Sequence, residues 1–147
     1  MKKLLFVVLL ILGFAASAGA ADRGTPDEAK AMAIKAAEYL QANGPEKAFE
    51  AFKAADAGFR DRDLYVYVQD DKGNMAFHPY TPALIGKSVL DLKDVDGKPF
   101  NREMQAIKDA GWVDYKWQDP LTKLVQPKRA YIVRVGGYLV GSGAYVQ

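Results

Sequence analysis

The chain has 147 residues, half of them hydrophobic and 12% aromatic, with 20 basic against 18 acidic side chains and a single histidine. The absence of cysteine excludes disulfides, thiolate catalysis, zinc–sulfur sites and a lipid anchor on an N-terminal Cys. The near balance of charge supplies no field to gather nucleic acid or an anionic membrane, so neither is an expected partner.

Lys2 and Lys3 form a charged start, Leu4 to Leu12 an unbroken apolar run, and Gly13 to Ala21 a stretch of small residues. That order is the signature of an export leader, cleaved after Ala20 in Ala18-Gly19-Ala20 or after Ala18 in Ala16-Ser17-Ala18. An uncleaved anchor is the weaker reading, because the Gly/Ala/Ser half is poorly suited to crossing a bilayer. Removing residues 1–20 from 147 leaves 127, the size of one domain (21–147), with 18 basic and 18 acidic side chains. A periplasmic or secreted location follows.

Thr25-Pro26-Asp27-Glu28 reads as a helix start with a capping box, and Ala29, Met32, Ala33, Ala36, Tyr39 and Leu40 follow at helical spacing. Asn43-Gly44 ends that helix. Pro45 opens a second, which carries Phe49 and Phe52 and closes by Gly58. The period then changes. Leu64 to Val68 alternates aliphatics with tyrosines, Asp70 to Asn74 is a turn, and Met75 to His78 returns as the partner strand. Residues 79–100 form a long connection, too apolar for disorder, expected to lie over the sheet. A short helix is expected over Asn101–Ala110, then strands over Gly111–Gln118, Arg129–Val135 and Tyr138–Val146, the last two joined at Gly136-Gly137. The order predicts an α+β fold of PAS-like layout: an antiparallel five-stranded sheet, a long N-terminal helix behind it, and a loop and helix covering the other face.

The residues argue against catalysis. With one histidine, His78, no Ser-His-acid set can be completed. Ser142 in Gly141-Ser142-Gly143 lacks the full nucleophile-elbow pattern, and the glycines read better as room for a close approach. Asp91, Asp94 and Asp96 ahead of Gly97 lack the rest of a calcium loop. No metal or other cofactor is expected.

Rings and cations are concentrated instead in the strands: Tyr65, Tyr67, Phe77, His78, Trp112, Tyr115, Trp117, Lys128, Arg129 and Tyr131. Aromatic walls with a few convergent polar groups are the usual lining of a small-molecule pocket, and a carboxylate held out of water needs a cation or several donors. Strand parity places Val113, Tyr115 and Trp117 on one face, and Arg129, Tyr131, Val133 and Val135 on another; their apolar content suggests that both sets look inward. The expected pocket lining is Tyr67, His78, Tyr115, Trp117, Lys128, Arg129 and Tyr131. Lys87, after Gly86, reads as solvated.

Six strings resemble the type-2 single Cache domain, in order and over residues 28–147. They are His78-Pro79, Leu84 to Ser88, Asp91 to Phe100, Gly111 to Trp117, Pro127-Lys128-x-x-Tyr131 and Val140 to Tyr145. The resemblance implies a PAS-like extracytoplasmic sensor that binds small molecules, often short organic acids, between sheet and covering loop. It carries over no catalytic residue. Gln118 replaces the Pro that many relatives have after Trp117, and Arg129 adds a cation beside Lys128. Relatives usually precede a membrane span and an output domain; this sequence ends after its last strand. The expectation is a sensing module without its own output, read by a membrane chemoreceptor or sensor kinase, with a homodimer allowed. Two rival readings stand beside it. A ligand-free interaction or dimerisation module would expose an apolar stripe around Met32 and Tyr39, and a small hydrolase would use Ser142 or His78.

Overall fold

The computed structural model describes residues 22–146, so the expected leader lies outside the described residues. Helix α1 (Pro26–Asn43) begins where its capping box closes: Glu28 N–H donates to Thr25 Oγ1 at 3.2 Å, and Thr25 N–H to Glu28 Oε2 at 2.7 Å. Gly44, at φ +80°, turns the chain directly into α2 (Pro45–Lys53). The buried face of α1 is Ala29, Met32, Ala33, Ala36, Ala37 and Leu40, mostly short side chains that let the helix lie close on the sheet.

Six strands follow: β1 (Arg60–Asp61), β2 (Leu64–Asp70), β3 (Met75–Phe77), β4 (Ala110–Gln118), β5 (Val125–Val135) and β6 (Tyr138–Tyr145). They run antiparallel in the order β2-β6-β5-β4, with β1 and β3 both pairing with β2. The expected five strands are therefore joined by a two-residue sixth, too short to carry an apolar pattern. Strand β5 starts four residues before its expected Arg129. Lys116 sends its N–H outward to Asp94 Oδ2 at 3.0 Å, so its pair with Pro127 exchanges no bond towards β4, and the missing N–H costs nothing there.

Both faces of the sheet are covered. On one, α1 and α2 pack on Leu64, Val66, Val68, Val140 and Ala144. On the other, residues 79–109 lie over Tyr65, Tyr67, Val113, Tyr115, Ala130 and Ile132, as expected of the long connection. It contains a 3₁₀ turn (Pro82–Leu84) and α3 (Phe100–Ala106). Helix α3 ends four residues before its expected limit, because Arg134 reaches across and donates to the carbonyls of Gln105 (2.8 Å) and Ile107 (2.9 Å). Ala110 is thereby free to open β4 opposite Val133.

The apolar stripe at Met32 and Tyr39 is not an exposed surface. Met32 is buried against Ser142 of β6, and Tyr39 packs on Phe52 and Phe59. No helix among the described residues is long and apolar enough to cross a membrane.

Candidate functional site

Alternation along β2 turns Tyr65, Tyr67 and Gln69 towards the covering segment, and β6 turns Tyr145 the same way. Register places Lys128 of β5 between Tyr115 on β4 and Tyr145 on β6. The lysine is buried at 1% exposure, and its Nζ has no hydrogen-bond partner. Four tyrosine rings surround it, with centroids at 3.9 Å (Tyr65), 5.2 Å (Tyr145), 5.3 Å (Tyr67) and 6.0 Å (Tyr115). Burial drives the ammonium down to about 7, against the pull of the Asp63 and Asp119 carboxylates. Burial likewise lifts the tyrosine hydroxyls well above their ordinary range, so all four stay protonated.

The space for this arrangement comes from Gly141-Ser142-Gly143. A Cβ on Gly141 would lie 2.5 Å from Tyr67 Cζ; one on Gly143 would lie 2.7 Å from Lys128 Cε and 2.9 Å from Ala130 Cα. The glycines thus let the lysine stem and the Tyr67 ring lie flat on β6. Gly143→Ala should cost about 1–3 kcal/mol, because the opposing Ala130 backbone cannot give way; a shift in the urea midpoint reads this out.

His78 follows β3, at 4% exposure. Its Nδ1 accepts the N–H groups of Tyr80 (3.2 Å) and Thr81 (3.0 Å), which leaves the proton on Nε2 and makes the neutral ring a donor. Its ring stacks on Tyr67 and lies near Tyr65 and Trp117. Burial, and then the charge of Lys128, push it down to about 3. Between about 3 and its ordinary 6.5 the unfolded chain binds the extra proton, so stability falls as pH drops through that window. The full loss is on the order of 5 kcal/mol, at about 1.4 kcal/mol per pH unit. His78→Asn keeps an acceptor for the two N–H groups and removes the titration; its urea midpoint should respond far less to acid.

Beside these groups lies a hollow lined by Tyr67, His78, Tyr115 and Trp117 on one side and by Gln69, Phe100 and Asn101 on another. It offers about 10 Å³ to the centre of a water molecule, room for about one water. Tyr115 Oη donates to Tyr67 Oη at 3.2 Å, joining two rings that line the hollow and also flank Lys128 Nζ.

Of the seven expected lining residues, Tyr67, His78, Tyr115, Trp117 and Lys128 come together here. Arg129 and Tyr131 do not. Register pairs Arg129 with Asp114 and Tyr131 with Trp112, on the face that α1 covers. Arg129 is half exposed, 3.4 Å from Asp114 and over the Trp112 ring, and Tyr131 packs edge-on against Trp112 beneath Lys30. The inward reading of that set fails because both faces of the sheet are covered, so an apolar set does not say which side it faces.

Among the residues that sequence reasoning passed over are Gln69, Asn101 and Tyr145, and behind them Asp63, Asp119 and Arg23. Parity from Tyr67 reaches Gln69, and parity from Gly143 reaches Tyr145; nothing local marks the others. Ser142 faces the opposite side of the sheet from His78, against Met32 Sδ at 3.5 Å, and so has no base. The acidic loop is spoken for. Asp94 accepts the N–H groups of Asp96, Lys98 and Lys116, Asp96 pairs with Lys116, and Asp91 with Arg102. Lys87 is exposed.

A sheet with helices behind it, and a buried cation boxed in by rings beneath a covering loop, defines a PAS-like sensor domain. The chain belongs to the family described as "Single Cache domain 2", whose model matches residues 16–147. It is 34% identical over 91 residues to the methyl-accepting chemotaxis protein McpP of Pseudomonas putida; that match takes in 58% of this chain and 17% of McpP. A solved periplasmic sensor domain of a chemotaxis protein matches at TM-score 0.71 and 26% identity, over 83% of this chain and 95% of that one. A Cache chemosensory domain solved for its carboxylic acid recognition matches at TM-score 0.64 and 27% identity, over 82% and 88%. A methyl-accepting chemotaxis protein from Vibrio parahaemolyticus shares the fold at TM-score 0.71 and 23% identity, over 82% and 88%.

Proposed function

We propose that this chain is a periplasmic or secreted sensor, exported by its cleaved leader, that binds a short organic acid and catalyses nothing. The observation that carries the reading is the Lys128 amine, buried without a partner in a box of hydroxyl-bearing rings. A buried amine in that state is costly, and a carboxylate supplies what it lacks, a charge-assisted bond in a water-poor site. Tyrosine hydroxyls and His78 Nε2–H would complete the donor set, and the rings would form the walls. The hollow has room for little more than a water, so a ligand enters only as the Tyr67–Tyr115 contact parts. That rearrangement is the signal that a membrane chemoreceptor or sensor kinase would read. Recognition of carboxylic acids by the solved Cache domain of similar fold supports the same ligand class.

The test is a thermal and calorimetric titration of the purified domain with acetate, propionate, glycolate, lactate and pyruvate. A bound acid at a hundred times its Kd should stabilise the fold by about 2.7 kcal/mol, several degrees of Tm. A flat profile across the panel, with no heat of binding, overturns the reading.

A further inference from the structure

Gln69 and Asn101, which line the hollow, belong to an oriented chain of three amides with Gln105. Gln105 Nε2 donates to the backbone carbonyl of Asp70 at 3.0 Å, and a carbonyl can only accept, so the orientation of this amide is fixed. The same nitrogen donates to Gln69 Oε1 at 3.2 Å. Gln69 is therefore fixed too: its Nε2 donates to Asn101 Oδ1 at 2.6 Å and to Met104 Sδ at 3.7 Å, which uses both of its N–H bonds. Asn101 Oδ1 is thus the acceptor, and its Nδ2 is what the relay leaves over. That Nδ2 is buried, has no partner, and belongs to a residue that lines the hollow at 1% exposure.

Lys128 Nζ and Asn101 Nδ2 are, among the described residues, the two buried side-chain nitrogens without a hydrogen bond. Asn101 lines the hollow together with Tyr67 and Tyr115, the two rings that also flank Lys128 Nζ at 5.3 and 6.0 Å. A plain alkanoate carries acceptor oxygens only on the carboxylate that the amine draws, whereas an acid with one more oxygen brings the amide an acceptor of its own. We infer that Asn101 is the specificity-determining residue of the site, and that it selects short acids bearing a neutral acceptor oxygen, hydroxy or oxo acids, over the corresponding alkanoates. The inference rests on the acid-binding reading. A second carboxylate is disfavoured at the amide end, because Gln69, Gln105 and Asn101 carry no positive charge to meet it. An unpaired donor is the larger loss: a site built to bond an oxygen rejects the analogue lacking it.

The experiment compares matched pairs in calorimetry, glycolate with acetate and lactate with propionate, on the wild-type domain and on Asn101→Leu. Wild type should bind the oxygenated member roughly tenfold or more tightly, and Asn101→Leu should bring each ratio close to one. Equal affinities within the pairs on wild type overturn the inference and leave the acid reading standing; this arm needs no folded variant. A ratio that survives Asn101→Leu overturns the assignment to Asn101. Tighter binding of malonate than of lactate overturns the neutral-oxygen claim. Binding of no acid at all sinks the acid reading itself.

Discussion

Lys128→Met should make the domain more stable by on the order of 3 kcal/mol at neutral pH and abolish acid binding. The stem of the lysine lies in the space left by Gly143, and methionine fills it with a chain of similar length. What disappears is an amine whose burial pulls it from its ordinary 10.5 to about 7. Each tenfold loss of proton affinity is worth about 1.4 kcal/mol, so the folded state carries a penalty of a few kcal/mol for this group. The four rings return part of it, but three of the centroids lie beyond 5 Å, and a cation–π contact is worth roughly 0.5–2 kcal/mol at best. Replacement of a buried charge by an apolar side chain of like volume is commonly stabilising by about 1–4 kcal/mol. An increased urea midpoint together with lost heat of acid binding is the expected result. A variant less stable than wild type would show that the ring box holds the amine by more than burial costs.

The same group predicts two pH dependences. Between about 7 and 10.5 the unfolded chain binds a proton that the folded one has released, so stability rises with pH across that window; in Lys128→Met this rise is absent. Acid affinity runs the other way, since a carboxylate needs the ammonium. Affinity should be level below pH 7 and fall up to about tenfold per pH unit above it, as calorimetry over a pH series would measure.

The elements could be read from the sequence because their signals are local: the capping box at Thr25–Glu28, the alternation of β2, the Gly-Gly hairpin. Of the expected lining residues, Tyr67, Tyr115, Trp117 and Lys128 share the side of the sheet under the covering segment, which alternation along each strand makes legible, and His78 follows β3 against Tyr67. Arg129 and Tyr131 alternate with Lys128 along β5 and so take the other face, and with both faces of the sheet covered the apolar content of a set does not say which side it meets. The amide relay was illegible for another reason. Gln69, Asn101 and Gln105 are ordinary polar residues until tertiary packing removes their water.

Arg23→Ala should be the most destabilising single change at a polar side chain, costing about 3–5 kcal/mol. Two carboxylates with fully buried side chains face this guanidinium: Asp63 from the β1–β2 turn at 3.3 Å and Asp119 from the end of β4 at 2.6 Å. Asp63 Oδ1 also accepts Gly24 N–H at 2.7 Å, and Asp119 Oδ1 accepts Leu121 N–H at 2.8 Å. Burial pushes the Asp119 carboxyl up, yet the N–H groups of Leu121 and Thr122 and the Arg23 guanidinium hold it below its ordinary value, so it stays charged. Removal of the cation leaves two buried anions whose remaining donors are backbone N–H groups, the case in which breaking a buried pair is expensive. Arg62 supplies the contrast. Its partners Asp22, Asp61 and Glu28 are about half exposed or more, so Arg62→Ala should cost far less than Arg23→Ala despite three ion pairs. Adding Asp119→Asn to Arg23→Ala should restore part of the loss, and a cost for Arg23→Ala no larger than that for Arg62→Ala would refute the buried-clamp account. The clamp also bears on the site, because Asp63 and Asp119 are the anions that act on Lys128. With Arg23 gone their charge is uncompensated, and an incoming carboxylate meets a more negative surround. Acid affinity should therefore fall in Arg23→Ala although Arg23 is absent from the lining of the hollow, and should recover in the double variant.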